Sequence, residues 1–516
     1  MILPKSEKTW RESLTSLTHP RVLTMLFLGI SAGTPLLMIF SSLSLWLREA
    51  GVERSSVTYF SWAALGYSFK FIWAPLVDQL PLPFLSKKFG RRRAWLLFSQ
   101  FMIIFAISTM AFIDPAIDTL NAMAWAAVFL GFSSATQDIV IDAYRIESAA
   151  TDLQALMSSS YIAGYRIGML LAGAGTLFLA DNFGSTLTNY NYQAWQSAYL
   201  TMSGVMLTGV ITTLVISEPA ASVSIQTHRK NDHLSLVFLF IITVSGFIGC
   251  FYYTSNYAQL STTSLSTLLA NKNLASFIIE LCRLSLALLS AGITAKIVIS
   301  TGLIQQQILE KTYLEPVKDF FHRFGWSLAW LLLALIGLYR ISDILLGVIS
   351  NVFYQDLGYT KPEIASVVKS FGLLMTIVGG FLGGILSVRF GVLKILFLGA
   401  LLSGLTNLLF MLLAQTGHDM LMLTLVISAD NLSAGLASAA FIAFLSSLTN
   451  ISFTAVQYAI FSSLMTLLPK ILGGYSGSVV EAVGYSQFFL ITALSGIPVL
   501  LLILWAGKHF QINQQS

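Results

Sequence analysis

Asp138 and Asp142 are two carboxylates, one helical turn apart, at the end of a long apolar stretch, residues 122–141. A spacing of four residues places both side chains on one face of a helix, where they can share water, a proton or a cationic partner. A carboxylate at bilayer depth is costly unless it faces a wet or paired interior, so such residues mark proton and ion pathways. We therefore predict that Asp138, Asp142 and the neighbouring Gln137 provide substrate contact and proton coupling. For Asp142, a structural ion pair with Arg145 is an equal alternative.

Basic side chains also lie inside apolar stretches, most of them too far from the ends of the predicted spans for the charged group to reach water at low energetic cost. An arginine in a central cavity could hold a carboxylate through two parallel hydrogen bonds, and aromatic rings could stack on a ligand. The predicted substrate-binding residues of this kind are Lys70, Tyr67, Tyr165, Arg166, Arg340 and Lys369. Lys70 and Arg166 have no acid nearby on the same predicted helix, which favours them for an anionic ligand.

Two further carboxylates, Asp343 and Asp430, fall within apolar stretches later in the chain. Asp343 follows Arg340 by three residues, so the two could form an ion pair on one helix instead of serving the site. Asp430 precedes Asn431 and could equally make a polar contact between helices. We predict both as additional proton-coupling residues. The six histidines are scattered without metal-ligand spacing, so neither a metal site nor a catalytic residue is predicted.

The composition is that of an integral membrane protein. Of 516 residues, 55% are hydrophobic and only 10% are charged, and the mean hydropathy is +0.76. Soluble domains carry roughly 25% charged residues. The basic balance of the chain is explained by cytoplasmic loops, in which Lys and Arg accumulate, and does not indicate a nucleic-acid partner.

About 20 apolar residues cross the hydrocarbon core, and the pattern predicts fourteen spans. Their predicted ranges are 21–47, 57–80, 94–113, 120–143, 159–181, 196–217, 234–254, 274–304, 327–354, 363–388, 391–414, 420–447, 453–473 and 485–507. With the N-terminus in the cytoplasm, 19 Lys and Arg residues fall on that side and 4 on the other. This asymmetry predicts a multi-pass protein with both termini cytoplasmic.

The spans divide into two six-helix bundles with an insert between them. The segment at 47–57 resembles that at 354–364, and each is followed by an apolar helix and a Phe-Gly turn. Internal repeats of this kind are typical of secondary transporters, whose site lies between the repeats. The predicted organisation is a cytoplasmic N-terminal segment (1–20), the first bundle (21–217), an insert of two spans with a cytoplasmic amphipathic linker (218–326), the second bundle (327–507) and a cytoplasmic tail (508–516).

The stretch from Asp78 to Arg93 resembles the loop between spans two and three of the major facilitator superfamily, in which an Asp precedes a Gly-Arg-Arg cluster. The chain departs from that pattern at Ala74, where Gly is usual, and by extra residues at 81–88. We predict a conformational latch on the cytoplasmic side, formed by Asp78, Arg91, Arg92 and Arg93. A plain topogenic signal is an equal reading of the arginine cluster.

Those departures agree with the AmpG-type muropeptide permeases, which the chain resembles through nearly its whole length. The segments that carry the resemblance are KFIWAPLVD (70–78), FGRRRAW (89–95), ATQDIVIDA (135–143), GYRIGM (164–169), YRISD (339–343) and FTAVQY (453–458). Residues 467–471 do not follow the expected pattern. The resemblance implies an all-α major facilitator fold, two six-helix bundles plus two inserted helices.

The resemblance further implies a transporter in the bacterial inner membrane that imports GlcNAc-anhydroMurNAc peptides for cell-wall recycling. The proton gradient would drive it, with no cofactor. The expected partners are a small anionic glycopeptide and the lipid bilayer, without nucleic acid, and we expect a monomer. The same branch resembles siderophore permeases, so a ferric siderophore or another amphipathic anion is the alternative substrate. An embedded enzyme would need clustered catalytic groups, whereas the polar residues here are spread over both bundles.

Overall fold

The computed structural model describes residues 18–52, 65–118, 120–149, 151–186, 189–219, 230–269, 272–301, 310–359, 363–473 and 476–515. Helices account for nearly all of these residues. The first half of the chain contains α1 (Pro20–Ile39), α2 (Ser41–Glu49), α3 (Leu65–Phe69), α4 (Ala74–Gln79), α5 (Leu85–Phe89), α6 (Arg91–Ala111), α7 (Leu120–Ser148), α8 (Thr151–Leu170), α9 (Thr176–Asn182), α10 (Tyr192–Val205) and α11 (Leu207–Val215).

The middle of the chain forms α12 (Lys230–Tyr253), α13 (Ser255–Leu269) and α14 (Lys272–Ser300). The second half contains α15 (Glu315–Leu338), α16 (Ile341–Asp356), α17 (Gly372–Phe390), α18 (Val392–Thr416), α19 (Met420–Leu448), α20 (Thr454–Gly473), α21 (Ser476–Val483), α22 (Tyr485–Leu494) and α23 (Gly496–Gln515). Short π-helical segments lie at Leu171–Gly175, Glu310–Leu314 and Ile364–Phe371.

Within the described residues, eleven helical stretches are long and apolar enough to cross a membrane. Each of them overlaps one of the predicted spans. Two other predicted spans coincide with shorter apolar helices, Ser285–Ser300 and Ile451–Thr466. The remaining predicted span, 57–80, begins outside the described residues.

The described part of that span is broken rather than continuous. The helix α3 ends at Phe69, a 3₁₀ turn covers Lys70–Ile72, and α4 begins at Ala74 with Pro75 in its first turn. Proline lacks a backbone N–H and fits the first turn of a helix but not its interior, so a restart at Ala74 is expected. The break places Lys70 on irregular backbone, which membrane proteins tolerate where it is buried in protein or lines a cavity.

The chain divides into two compact units. One comprises the described residues within 1–223 and 320–516, and the other comprises those within 224–319. In the smaller unit, α12 and α14 are linked by Arg283, whose guanidinium lies 3.8 Å from the centroid of the Phe251 ring and donates to the Phe251 carbonyl at 2.6 Å. This arginine is therefore satisfied within its own unit.

In the larger unit each half has its own apolar core. The first half packs Trp46 against Trp195 and Tyr199, with the rings of Trp46 and Trp195 stacked at 5.7 Å. The second half stacks Tyr339 on Phe441 at 4.2 Å. The third predicted span of each half lies in α6 or α18, and each of these helices follows a glycine of positive φ, Gly90 at 87° and Gly391 at 90°.

Candidate functional site

The side chain of Lys70 lies between the carboxylates of Asp138 and Asp142. Its Nζ is 3.7 Å from Asp142 Oδ2 and 4.0 Å from Asp138 Oδ2. The Lys70 side chain is 8% exposed and that of Asp138 is 14% exposed. Both carboxylates lie on α7, because their spacing of four residues puts them on one face. The structure thus brings Lys70, Asp138 and Asp142 together, although Lys70 had no acid on its own helix.

Tyrosines lie close to Asp138. The hydroxyl of Tyr161 donates to Asp138 Oδ1 at 3.1 Å, and the ring of Tyr165 is 6.0 Å from that of Tyr161. The buried hydroxyl of Tyr67 belongs to the same group, near Tyr165 and Asp138. Tyr67 and Tyr165 are therefore where a site around Asp138 requires them. Tyr161 is among the aromatic residues that could stack on a ligand, but its hydrogen bond to Asp138 was not predicted, because a contact between helices leaves no signal in the spacing of residues within one helix.

The tyrosines reach this position because α8 packs unusually close to α1. A Cβ atom on Gly33 would lie 2.0 Å from the Tyr165 carbonyl oxygen, and one on Gly164 would lie 1.9 Å from the Leu26 carbonyl oxygen. No side chain fits at either distance, so glycine is required on both helices. The glycines thus fix how closely α8, which carries both tyrosines, packs against α1.

Arg145, on the same helix as the two carboxylates, has no solvent exposure. Its guanidinium is 3.3 Å from Asp142 Oδ1 and donates to Gln154 and Ser158 of α8, both at 3.1 Å. It also donates to Ser446 of the second half at 2.7 Å. Asp142 therefore has two cationic partners, whereas Asp138 has Lys70 and the hydroxyl of Tyr161.

Gln137 is fully buried and faces α1. Its Oε1 accepts a hydrogen bond from Ser31 at 3.3 Å, and its Nε2 is buried without a hydrogen-bond partner among the described residues. In this conformation Gln137 is therefore closed off from solvent, and its predicted contact with substrate stays a prediction.

The second half holds a separate polar group around Arg340. The Nε of Arg340 is 3.1 Å from Asp343 Oδ2, and its Nη1 donates to Ser438 at 2.6 Å. Asp343 in turn accepts from the hydroxyl of Ser403, and Asp430 accepts from Thr406 at 3.1 Å. Arg340 and Asp343 therefore form the ion pair that their spacing allows, with Asp430 nearby.

Arg166 and Arg340 come from different halves and lie near enough for their charges to repel. The Arg166 side chain is exposed even though the residue lies in the middle of the span Leu153–Asn182. Two arginines whose charges repel each other can together attract an anion. The side chain of Lys369, the remaining predicted cation, lies outside the described residues.

The predicted latch residues form a network at one end of the first half. Arg92 Nη2 donates to Asp78 Oδ1 at 2.6 Å and to Glu147 Oε1 at 2.5 Å. Arg91 donates to the Asp78 carbonyl at 2.9 Å. Arg93 donates instead to the carbonyls of Thr213 and Leu214. The four residues are thus near one another, but Arg93 bonds to α11 rather than to Asp78.

Glu218 closes the same network from the other side. Its carboxylate accepts from the backbone N–H groups of Arg92 and Arg93, at 2.8 and 3.0 Å, at the beginning of α6. An acid at a helix N-terminus satisfies unpaired N–H groups and interacts favourably with the helix dipole. Gly90 has a φ of 87°, which favours glycine, and a Cβ there would lie 2.4 Å from the Glu218 carboxyl carbon, so that the carboxylate would have to move.

Contacts between the two halves extend from this network. The other oxygen of Asp78, Oδ2, accepts from the backbone N–H of Val456 at 3.2 Å, in the first turn of α20. Arg145 contacts the second half through Ser446 and lies 5.2 Å from the centroid of the Tyr458 ring. Ser159 of α8 donates to the Gly380 carbonyl of α17 at 2.6 Å. We call the Asp78–Val456 and Arg145–Ser446 contacts the interbundle clasp.

Comparison with known proteins identifies the fold and the family. The profile of the Major Facilitator Superfamily matches residues 22–339. A Rickettsia conorii protein named as an AmpG 4 transporter is 31% identical over 492 residues, which is 95% of this chain and 98% of that protein. The chain belongs to the major facilitator superfamily, in its AmpG-type branch.

One further relative agrees with that assignment, and two solved structures share the fold. The anhydromuropeptide permease of Escherichia coli is 29% identical to this AmpG-type chain over 487 residues, 94% of this chain and 79% of that protein. Among solved structures, the proton:xylose symporter XylE superposes with a TM-score of 0.56 at 13% identity, covering 96% of both chains. The human organic anion transporter MFSD10 superposes with a TM-score of 0.55 at 12% identity, covering 94% of this chain and 99% of that one. These structures share the fold.

The predictions of an all-α major facilitator fold and of an AmpG-type permease are therefore confirmed. The chain is a multi-pass membrane protein of a transporter family. The roles predicted for individual site residues stay predictions, although the structure brings most of them into a few groups.

Proposed function

We propose that this protein is a proton-coupled secondary transporter that imports anhydromuropeptides across the bacterial inner membrane for cell-wall recycling. The observation that carries the proposal is the position of Lys70 between Asp138 and Asp142, on a broken helix inside a transporter fold. The similarity to the anhydromuropeptide permease of Escherichia coli supports the substrate class. Both termini are proposed to be cytoplasmic, and the transporter is proposed to act as a monomer without a cofactor.

Asp138 is the carboxylate that we assign to the transported proton. Asp142 is held by Lys70 and Arg145, two cations that favour its ionised form. Asp138 shares only Lys70, at the longer distance of 4.0 Å, and has the negative charge of Asp142 one turn away. An opposite charge favours ionisation and a like charge opposes it. A proton entering the group therefore binds Asp138, and Lys70 then pairs with Asp142 alone.

Arg166 and Arg340 are the groups that we assign to the anionic substrate. They belong to different halves and repel each other when no anion lies between them. A substrate carboxylate between them would relieve that repulsion and hold the halves together through charge-assisted hydrogen bonds. Anhydromuropeptides carry carboxylates on their peptide stems, which fits such a site.

The interbundle clasp supports alternating access. A transporter of this fold exposes its central site to one side at a time by moving one bundle against the other. The Asp78–Val456 and Arg145–Ser446 contacts hold one end of the bundles together. Arg145 also contacts Asp142. The same side chain therefore joins the charged group of Lys70, Asp138 and Asp142 to a contact that closes this end of the bundles. Proton binding would thereby bias which side is open.

Uptake into membrane vesicles tests the proposal. Vesicles containing the protein would be given a labelled anhydromuropeptide, with and without a proton gradient, and excess ferric siderophore would serve as a competitor. The proposal predicts accumulation that stops when the gradient is collapsed and that siderophore does not inhibit. Uptake that continues without the gradient would contradict proton coupling. Uptake of the siderophore instead of the muropeptide would show that the siderophore is the substrate.

A further inference from the structure

The loop before α6 holds a phenylalanine in a strained backbone conformation. Phe84 has φ 63° and ψ −49°, and the N–H of Leu85 donates to the Pro83 carbonyl at 2.7 Å across it. This is a γ-turn of the rare hand, and Phe84 is the one described residue other than glycine with a positive φ. A positive φ is costly for a bulky side chain and persists where the surroundings impose it.

The turn leaves Phe84 projecting from the protein, with 88% of the residue exposed. The residues around Phe84 restrict the conformation of the loop. Pro81 and Pro83 restrict the backbone before the turn, and the hydroxyl of Ser86 accepts from the Leu82 N–H at 2.9 Å. An exposed aromatic ring on a braced turn lowers the entropy that must be lost on binding, and therefore favours contact with another phase or molecule.

Two exposed lysines accompany the ring. Lys87 and Lys88 lie on α5, within four residues of Phe84. The ammonium of Lys88 is 5.3 Å from the centroid of the Phe89 ring, and the guanidinium of Arg93 is 5.6 Å from the same centroid. The loop therefore combines one apolar side chain with two cations that the interbundle clasp does not use.

The position of the loop identifies the partner. The loop is separated from the span Arg91–Ala111 by Gly90 alone. Near the start of that span, Trp95 Nε1 donates to the Leu80 carbonyl at 2.8 Å. The loop is consequently attached at the boundary where the span leaves the bilayer. Aromatic rings concentrate at this level, and lysines there are attracted to anionic lipids.

We propose that residues 81–89 form a lipid-binding loop, in which Phe84 inserts between headgroups and Lys87 and Lys88 bind the phosphates of anionic phospholipids. The proposal concerns the membrane surface and does not depend on the transported substrate. Phosphate groups of the leaflet lie beside the loop wherever the span is embedded, which favours lipid over a second protein.

A fluorescence experiment on the full-length protein tests this proposal. Cys250 and Cys282 are first replaced by serine, and Phe84→Cys is then labelled with an environment-sensitive fluorophore such as NBD. The labelled protein is reconstituted into nanodiscs of POPC alone or of POPC with POPG. We expect emission at shorter wavelength in POPG-containing discs, quenching by doxyl-labelled lipid, and loss of the POPG effect in Lys87→Gln/Lys88→Gln.

Ile117 provides a matched control, because it is 86% exposed in another interhelical loop but is followed by Asp118. A label at Ile117→Cys should not shift toward shorter wavelength when POPG is added. Emission at position 84 typical of water in both kinds of disc would overturn membrane insertion. An undiminished POPG effect in the double lysine variant would overturn the assignment of the lysines to the phosphates.

Discussion

The ammonium of Lys70 lies 3.7 Å from the carboxylate of Asp142, although the two residues are on different helices and far apart in sequence. Both side chains are largely buried, and Lys70 is the cation that Asp142 shares with Asp138, whereas Arg145 is a second partner of Asp142. Breaking a buried pair by removing one partner is strongly destabilising, because it leaves an uncompensated charge. The pair therefore couples the broken second span to α7.

Lys70→Met removes the cation while keeping a similar volume. We expect it to lower the free energy of unfolding by about 3–5 kcal/mol, the usual cost of leaving a buried partner unpaired, and to abolish uptake. Thermal unfolding in detergent measures the first effect. Lys70→Met/Asp138→Asn should regain much of the stability without regaining accumulation of substrate, because Asp142 keeps Arg145 as its partner. Lys394→Met, at an exposed position, should change neither. An unchanged melting temperature in Lys70→Met would contradict the buried pair.

Asp78→Asn keeps the shape of the side chain but weakens its bonds to Arg92 and to the Val456 N–H. We expect the ends of the bundles joined by the interbundle clasp to separate more often. Spin labels at Ala149→Cys and Ser452→Cys, one in each half, would report a longer distance population than in the protein with Asp78 intact. Asp181→Asn, at an exposed position, is the control. An identical distance distribution in Asp78→Asn and in the parent protein would show that Asp78 does not hold the halves together.

Arg145→Lys retains the positive charge but not the donors that reach Gln154, Ser158 and Ser446 together. Since one hydrogen bond to a charged group contributes roughly 1.5–3 kcal/mol, we expect the free energy of unfolding to fall by at least that amount. The same pair of spin labels should also show a more open end. If Arg145→Lys unfolds like the parent and gives the parent distances, the guanidinium does not join the halves.

Arg166→Ala and Arg340→Ala each remove one of the two cations that we assign to the substrate. A lost charge-assisted hydrogen bond of roughly 1.5–3 kcal/mol corresponds to about a 10- to 100-fold rise in KM for an anionic substrate. Uptake kinetics with labelled anhydromuropeptide measure it. Arg389→Ala, near the end of α17, serves as a control for loss of a basic residue. Equal KM values in the parent and both variants would place the substrate elsewhere.

The sequence predicted those relationships that lie within one helix. The spacing of Asp138 and Asp142, the pair Asp142–Arg145 and the pair Arg340–Asp343 follow from the helical period alone. The grouping of Asp78 with the arginines was predicted from the pattern of a known loop. Composition and hydropathy were sufficient for the fold class, because a span is recognisable from length and polarity.

Relationships between helices were not predictable in this way. No pattern in the sequence indicated that Lys70 would lie beside both acids of α7, that Tyr161 would donate to Asp138, or that the N–H of Val456 would donate to Asp78. Each of these contacts depends on how helices pack, such as the close approach of α1 and α8 that Gly33 and Gly164 allow. The spacing of residues within one helix does not indicate which helices pack against it. The break at Lys70 was likewise hidden inside an apolar stretch.

The central claim is that Asp138 carries the proton that drives transport. Its most direct test compares the parent with Asp138→Asn in proteoliposomes loaded with unlabelled anhydromuropeptide. We predict that Asp138→Asn still exchanges labelled for unlabelled substrate but no longer accumulates it against a concentration gradient when a pH gradient is imposed. Accumulation equal to that of the parent would contradict the claim.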